Sequence, residues 1–289
     1  MKWEDREESQ NVEDRRRMTP KAGMALGGGG LIILLIALVF GLDPRKVMNL
    51  LGGAGGGDQQ VQVDNSKQFS PEEERQAQFS RVIFRDTEVI WDELFAKMGK
   101  TYRKPTLVLF SGAVASACGR ADSSVGPFYC PGDDRVYIDT SFYQDMSKKL
   151  NAPGDFARAY VIAHEVGHHV QNQLGFTQRV DEARRRGPEV EANRMSVRLE
   201  LQADFLAGIW AHYGQKKFNF LENGDVETAL NAAFQIGDDR LQKQARGTVV
   251  PDSFTHGTSK QRMRWFMEGL KTGDMSKARL LFDLPYNEL

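Results

Sequence analysis

The residues best suited to chemistry lie in one short stretch, Ala159 to Gln171, which reads AYVIAHEVGHHVQ. Its apolar pattern predicts a helix, and on a helix residues four apart share a face. His164 and His168 therefore project side by side, one turn apart, and two imidazoles at that spacing can reach one metal ion at about 2.0–2.1 Å. Glu165 stands one step round the helix, beside that metal, where it can accept a proton from an activated water instead of ligating. Imidazole and carboxylate ligands with one open position describe a catalytic zinc site, so one Zn2+ is the expected cofactor. Chance is a poor explanation. With five His and 18 Glu in 289 residues, a His-Glu-x-x-His match arises at random only about 0.005 times. The alternative, two surface histidines around a solvated glutamate, conflicts with the apolar and small neighbours of the motif.

Catalytic zinc usually takes three protein ligands, so a third must come from elsewhere. Glu200 and Asp204 also stand four apart, flanked by Leu199, Leu201, Ala203, Phe205 and Leu206. Buried carboxylates need a cation, a metal or several donors. An exposed helix face paired to Arg194 or Arg198 is the structural alternative. Glu200 is taken as the ligand and Asp204 as the group holding the unbound nitrogen of a zinc histidine, an order that spacing alone does not decide. His169 lies about 100° round the helix from the ligand pair and reads as structural. His212 reads as a helix-end residue. His256 divides evenly between stabilising a developing oxyanion and holding a loop. Arg135–Asp139 divides evenly between an interior strand and an edge strand that could pair with an extended peptide.

The elements that must position these groups follow from pattern. Ser70-Pro71-Glu72-Glu73 is a capping box with proline at the first helical position. Phe79, Ile83, Ile90, Leu94 and Met98 then fall on one helical face. Thr106–Phe110 and Arg135–Asp139 read as short strands, separated by a loop that carries both cysteines, Cys118 and Cys130. Further helices are expected over about 155–174, 189–213, 225–243 and 258–271. The order predicts an α+β domain over residues 70–289, a small sheet with a mostly helical remainder.

Residues 1–21 are charge-dense and read as a solvated cytoplasmic tail. Ala22–Leu42 contains no charged residue, and Leu31–Phe40 is continuously apolar. That is long enough for a single transmembrane helix, which needs about 20 residues. Gly41-Leu42-Asp43-Pro44 is a poor signal-peptide cleavage site. Residues 43–69 read as a glycine-rich linker. Lys2, Arg6, Arg15, Arg16, Arg17 and Lys21 precede the apolar stretch, so the positive-inside rule leaves the N terminus cytoplasmic and the bulk of the chain outside a bacterial inner membrane. A Cys118–Cys130 disulfide would persist in that oxidising compartment. Basic and acidic residues nearly cancel, 38 against 39, so no global field points to nucleic acid.

HEVGHHVQ (164–171), ELQAD (200–204) and SFTHGTSKQR (253–262) resemble the bacterial neutral zinc metallopeptidase family, as do GPFYCPGD and IGDDRLQ. The likeness runs from about Gly27 to Phe282. More distantly, the motifs are similar to gluzincin peptidases such as the membrane-bound CaaX prenyl proteases. The resemblance implies a zincin-like, gluzincin-like fold, Glu200 as third ligand, Asp204 behind a zinc histidine, and His256 and Arg262 near the site. The chain departs from the family pattern in having Phe205 at a position where many members carry cysteine. The expectation is a membrane-anchored zinc endopeptidase acting on protein or peptide. A non-proteolytic, zinc-stabilised envelope module is the alternative, although such a site would not need Glu165.

Overall fold

The computed structural model describes residues 1–20, 61–64, 66–122 and 125–289. Residues 1–20 are not the solvated tail that their charge density predicts. Trp3 is only 3 % exposed, packs edge-on against Phe79 and donates its indole N–H to Asp155. The Met1 amino group lies 3.0 Å from Glu222 and 3.1 Å from Asp225. Arg6 meets Asp86, and Arg16 is buried against Asp14. Each of these charges has an opposite partner, so burial removes the reason for solvation. Strand β1 (Val12–Asp14) pairs in parallel with Leu107–Leu109. Strand β2 (Met18–Pro20) pairs antiparallel with β3 (Val61–Val63), setting Pro20 opposite Val61. The linker expected over 43–69 is thus structured at its end, where Lys67 also donates to the Arg16 carbonyl and Arg16 lies over Phe69.

These pairings join residues 1–20 to the described residues from 61 onward in one folded body. Residues 22–42 lie outside the described residues. Among the described residues no helix is long and apolar enough to cross a membrane.

Helix α1 (Pro71–Lys97) begins at the expected capping box, with Ser70 and Glu73 each accepting the other's backbone N–H. Such a cap is worth about 1 kcal/mol. The expected strands appear as β4 (Thr106–Phe110) and, after the hairpin β5 (Ala113–Ser116) and β6 (Gly119–Asp122) and the short β7 (Phe128–Cys130), as β8 (Arg135–Asp139). The four-stranded sheet has the order β1-β4-β8-β7, with β7 antiparallel to β8 and the rest parallel. Arg135–Asp139 is therefore an interior strand; the edges are β1 and β7.

The remainder is helical, confirming the α+β class: α2 (Phe142–Lys148), α3 (Asp155–Leu174), α4 (Phe176–Arg186), α5 (Glu189–Phe218), α6 (Asp225–Gln235), α7 (Asp238–Arg246), α8 (Ser259–Thr272) and α9 (Leu280–Asp283). The helix expected over 225–243 is broken in two. Gly237 sits where a Cβ would lie 2.3 Å from the Ser259 backbone nitrogen, and Asp238 and Asp239 turn to bond residues 255–259 instead of continuing α6. Helices α5 and α8 cross at backbone contact. A Cβ on Gly208 would stand 2.1 Å from the Phe266 carbonyl oxygen, and one on Gly269 2.1 Å from that of Phe205. Gly167 likewise lets α3 approach Ala203 of α5. These approaches bring the polar faces of three helices to one point.

Candidate metal centre

Helix α3 presents His164 and His168 to α5, and Glu200 answers from α5. The Nε2 atoms of His164 and His168 lie 3.3 Å and 3.6 Å from the two Glu200 carboxylate oxygens. The three ligand atoms all fall within 4.8 Å of one another. That spacing suits one ion between them and satisfies the tetrahedral zinc requirement for three protein ligands and an open position. The electrostatics agree. Burial lowers His168 to about 4, leaving it a neutral imidazole. Burial also opposes charge on His164, but the Asp204 and Glu200 carboxylates outweigh it and raise His164 to about 10. The site asks for positive charge where a metal would sit.

Each histidine is oriented through its other nitrogen. His164 Nδ1 donates to Asp204 Oδ1 at 2.9 Å. His168 Nδ1 donates to Gln171 Oε1 at 2.9 Å, and Gln171 is fixed in turn by donating to the Leu199 carbonyl. Asp204 is buried yet ionised: burial would raise its pKa, but Arg262 and His164 hold it below the ordinary carboxylate range. Tyr160, one turn before His164, donates to the same carboxylate. Asp204 is thus the positioning group and Glu200 the one that faces the metal position.

Glu165 sits beside the ligands without joining them. Burial raises it to about 7, opposed by His164, supported by the charge of Glu200 and opposed again by the Tyr129 backbone N–H, which donates to its carboxylate. Tyr129 belongs to the edge strand β7, so sheet edge and base meet. Cys118 and Cys130 form the expected disulfide, tying β7 to the β5–β6 hairpin. The cavity over the ligands, about 550 Å3, is lined by Glu165, His256 and Arg262 among others. His256 is half exposed, and its Nδ1 lies 3.2 Å from Asp238 Oδ1. Asp238 also accepts the backbone N–H groups of Thr255, His256 and Gly257. Burial lowers the His256 pKa, but the Asp238 hydrogen bond and the Glu200 charge leave it above the ordinary value.

The sequence profile described as "Putative neutral zinc metallopeptidase" matches residues 1–280. The chain belongs to this family. The match covers the N-terminal residues as well, where the motifs had suggested a start near Gly27. A protein of Escherichia coli (strain K12), "Uncharacterized protein YpfJ", is 50% identical over 283 residues, covering 95% of this chain and 96% of its own. "Uncharacterized protein Rv2575" of Mycobacterium tuberculosis is 44% identical over 183 residues, 60% of this chain and 61% of its own. No solved structure matches the chain.

Of the residues singled out in the sequence, His164, Glu165, His168, Glu200, His256 and Arg262 line one cavity, and Asp204 lies behind His164. His169 is structural as expected: its ring bonds the Tyr129 hydroxyl and the Arg103 carbonyl. His212 packs within α5 with Nδ1 against the Leu270 carbonyl. Sequence reasoning assigned no role to Tyr160, Gln171, Tyr129 or Asp238. Gln171 carried a usable signal, since it lies three residues after His168 and so on the same helical side. Asp238 carried none, because its partners are 17–19 positions away.

Proposed function

We propose that the chain is a zinc-dependent endopeptidase. What carries the reading is the unligated Glu165 carboxylate beside a three-ligand metal position at the floor of an open cavity. His164, His168 and Glu200 would hold zinc, which would supply Lewis acidity for the scissile carbonyl and for a water. Glu165 takes the proton from the attacking water and delivers it to the leaving amine. His256, braced by Asp238, donates to the carbonyl oxygen as it gains negative charge. Asp204, Tyr160 and Arg262 keep His164 in the tautomer whose Nε2 faces the metal. An extended peptide lies along β7, the sheet edge nearest Glu165. A purely structural zinc site would be closed by a fourth ligand, and the open cavity speaks against it.

The proposal includes membrane attachment through residues 22–42, in a form that keeps residues 1–20 on the same side as the peptidase domain. The Cys118–Cys130 bridge favours an oxidising, extracytoplasmic compartment of the bacterial envelope. The test is Glu165→Gln. It should keep stoichiometric zinc and lose peptide hydrolysis by at least about 100-fold. Undiminished turnover removes Glu165 as the base, and loss of zinc makes it a ligand.

A further inference from the structure

Glu165, His169 and Asn172 follow one another on a single face of α3, at steps of four and three residues. Tyr129 of the edge strand β7 lies along that face, and it lines the cavity together with Glu165. Its backbone N–H meets the Glu165 carboxylate. Its hydroxyl, at the far end of the side chain, lies 3.0 Å from His169 Nδ1 and accepts from the Asn172 amide at 3.1 Å. The same hydroxyl donates to Asp134 Oδ1 at 2.7 Å, in the turn that joins β7 to β8. The two ends of one residue thus grip successive turns of the helix that carries the base.

The hydroxyl end has a fixed anchor. His169 is fully buried, and its Nε2 lies 2.6 Å from the Arg103 carbonyl oxygen. Its ring stands edge-on to Tyr102 and Tyr129, with centroids 5.7 Å and 5.3 Å away. Gln173 donates to the same Arg103 carbonyl and accepts the Arg103 N–H, so that stretch of chain is held to α3 as well. Strand β7 has a partner strand on one side only, and an edge strand leaves its other row of backbone groups unpaired. The Cys118–Cys130 bridge ties β7 to the β5–β6 hairpin, not to α3. Its placement against the helix therefore falls to Tyr129. Resting on the peptidase reading above, we infer that Tyr129 is a positioning residue for the general base, its hydroxyl latched to His169, Asn172 and Asp134 so that its N–H is set against Glu165. Among the described residues, no bond of this latch touches His164, His168 or Glu200. The latch governs proton transfer and leaves metal binding alone. A displacement of about 1 Å in a reacting group can cost about 100-fold in rate, so small loosening matters.

Tyr129→Phe keeps the backbone N–H and the ring and removes only the hydroxyl. In the zinc-loaded full chain, the amide of residue 129 should exchange with deuterium at least about tenfold faster than in the wild type, followed by NMR, with zinc affinity within about twofold. For a peptide that the wild type cleaves, kcat should fall at least about tenfold while KM changes by less than about threefold. Asp134→Asn keeps an oxygen to accept the hydroxyl and suits the positive φ of 54° at that position. It should hold kcat within about threefold of the wild type, a conservative rescue that a loss of general stability would not give. Unchanged amide exchange in Tyr129→Phe overturns the latch. An intact kcat overturns it too, whether KM rises or the melting temperature falls, because the hydroxyl would then only shape the strand or stabilise the fold. If the wild type cleaves no peptide, the peptidase reading fails by itself. Amide exchange then still decides the latch, faster exchange supporting it and unchanged exchange removing it.

Discussion

Asp204 and Arg262 are 58 positions apart and meet as a bidentate pair, Nε to Oδ2 at 2.8 Å and Nη2 to Oδ1 at 2.9 Å. Both side chains are buried, 0% and 2% exposed. Asp204 Oδ1 further accepts from the Tyr160 hydroxyl and from His164 Nδ1. Asp204 therefore holds His164 through Nδ1, the ring nitrogen opposite the Nε2 that faces Glu200. The close α5–α8 crossing at Gly208 and Gly269 is what brings the pair together.

Glu200→Ala should therefore be isolated without zinc. Asp204→Asn should retain zinc at saturating metal with affinity weakened about 10–100-fold. Chelator competition on both purified proteins distinguishes them, and the reverse order would move the ligand role to Asp204. Arg262→Met strands a buried carboxylate and should cost about 3–5 kcal/mol of stability by denaturant titration.

The disulfide should matter to activity as well as stability. Cys130 is the last residue of β7, directly after Tyr129, whose N–H reaches Glu165. Closing a loop of this length contributes about 3 kcal/mol at most. Cys118→Ser with Cys130→Ser should lower the melting temperature and slow hydrolysis while zinc content stays constant. Full activity in that variant would show that β7 holds its place without the bridge.

Residues 1–20 should report the same side of the membrane as the peptidase domain. Single cysteines at the exposed positions Gln10 and Lys271 should react together with an impermeant maleimide. Labelling from opposite sides would contradict the β1 pairing. Trp3→Ala should destabilise the domain by about 3–5 kcal/mol, as for other buried aromatics.

Asp86 gives a pH signature. Burial raises its pKa from 3.8 to about 7, although Arg6 and Arg85 oppose the shift. The folded state therefore keeps a proton that the unfolded chain has already lost over this window. Its stabilising contribution is complete below pH 3.8 and disappears as pH rises through about 7. Measured against Asp86→Asn, the wild type should lose melting temperature across that interval. A constant difference between the two would mean that Arg6 keeps Asp86 ionised throughout.

The metal-site chemistry was legible in sequence because it is local. Helical geometry alone brings His164, Glu165 and His168 together, and a capping box or a β-branched run likewise acts within a few residues, which is why α1, β4 and β8 begin where expected. Charge pairing and helix packing are not local. Met1 and Arg6 read as solvated because their partners, Glu222, Asp225 and Asp86, lie far along the chain, and a sequence window cannot see neutralisation at a distance. The break at Gly237 depends on the approach of Ser259, and the edge position of β7 on strand order. Glu200 against Asp204 was likewise undecided by spacing, since both share a helical face. Arg262 decides it by neutralising one of them, and only the packing of α8 onto α5 puts that guanidinium in reach.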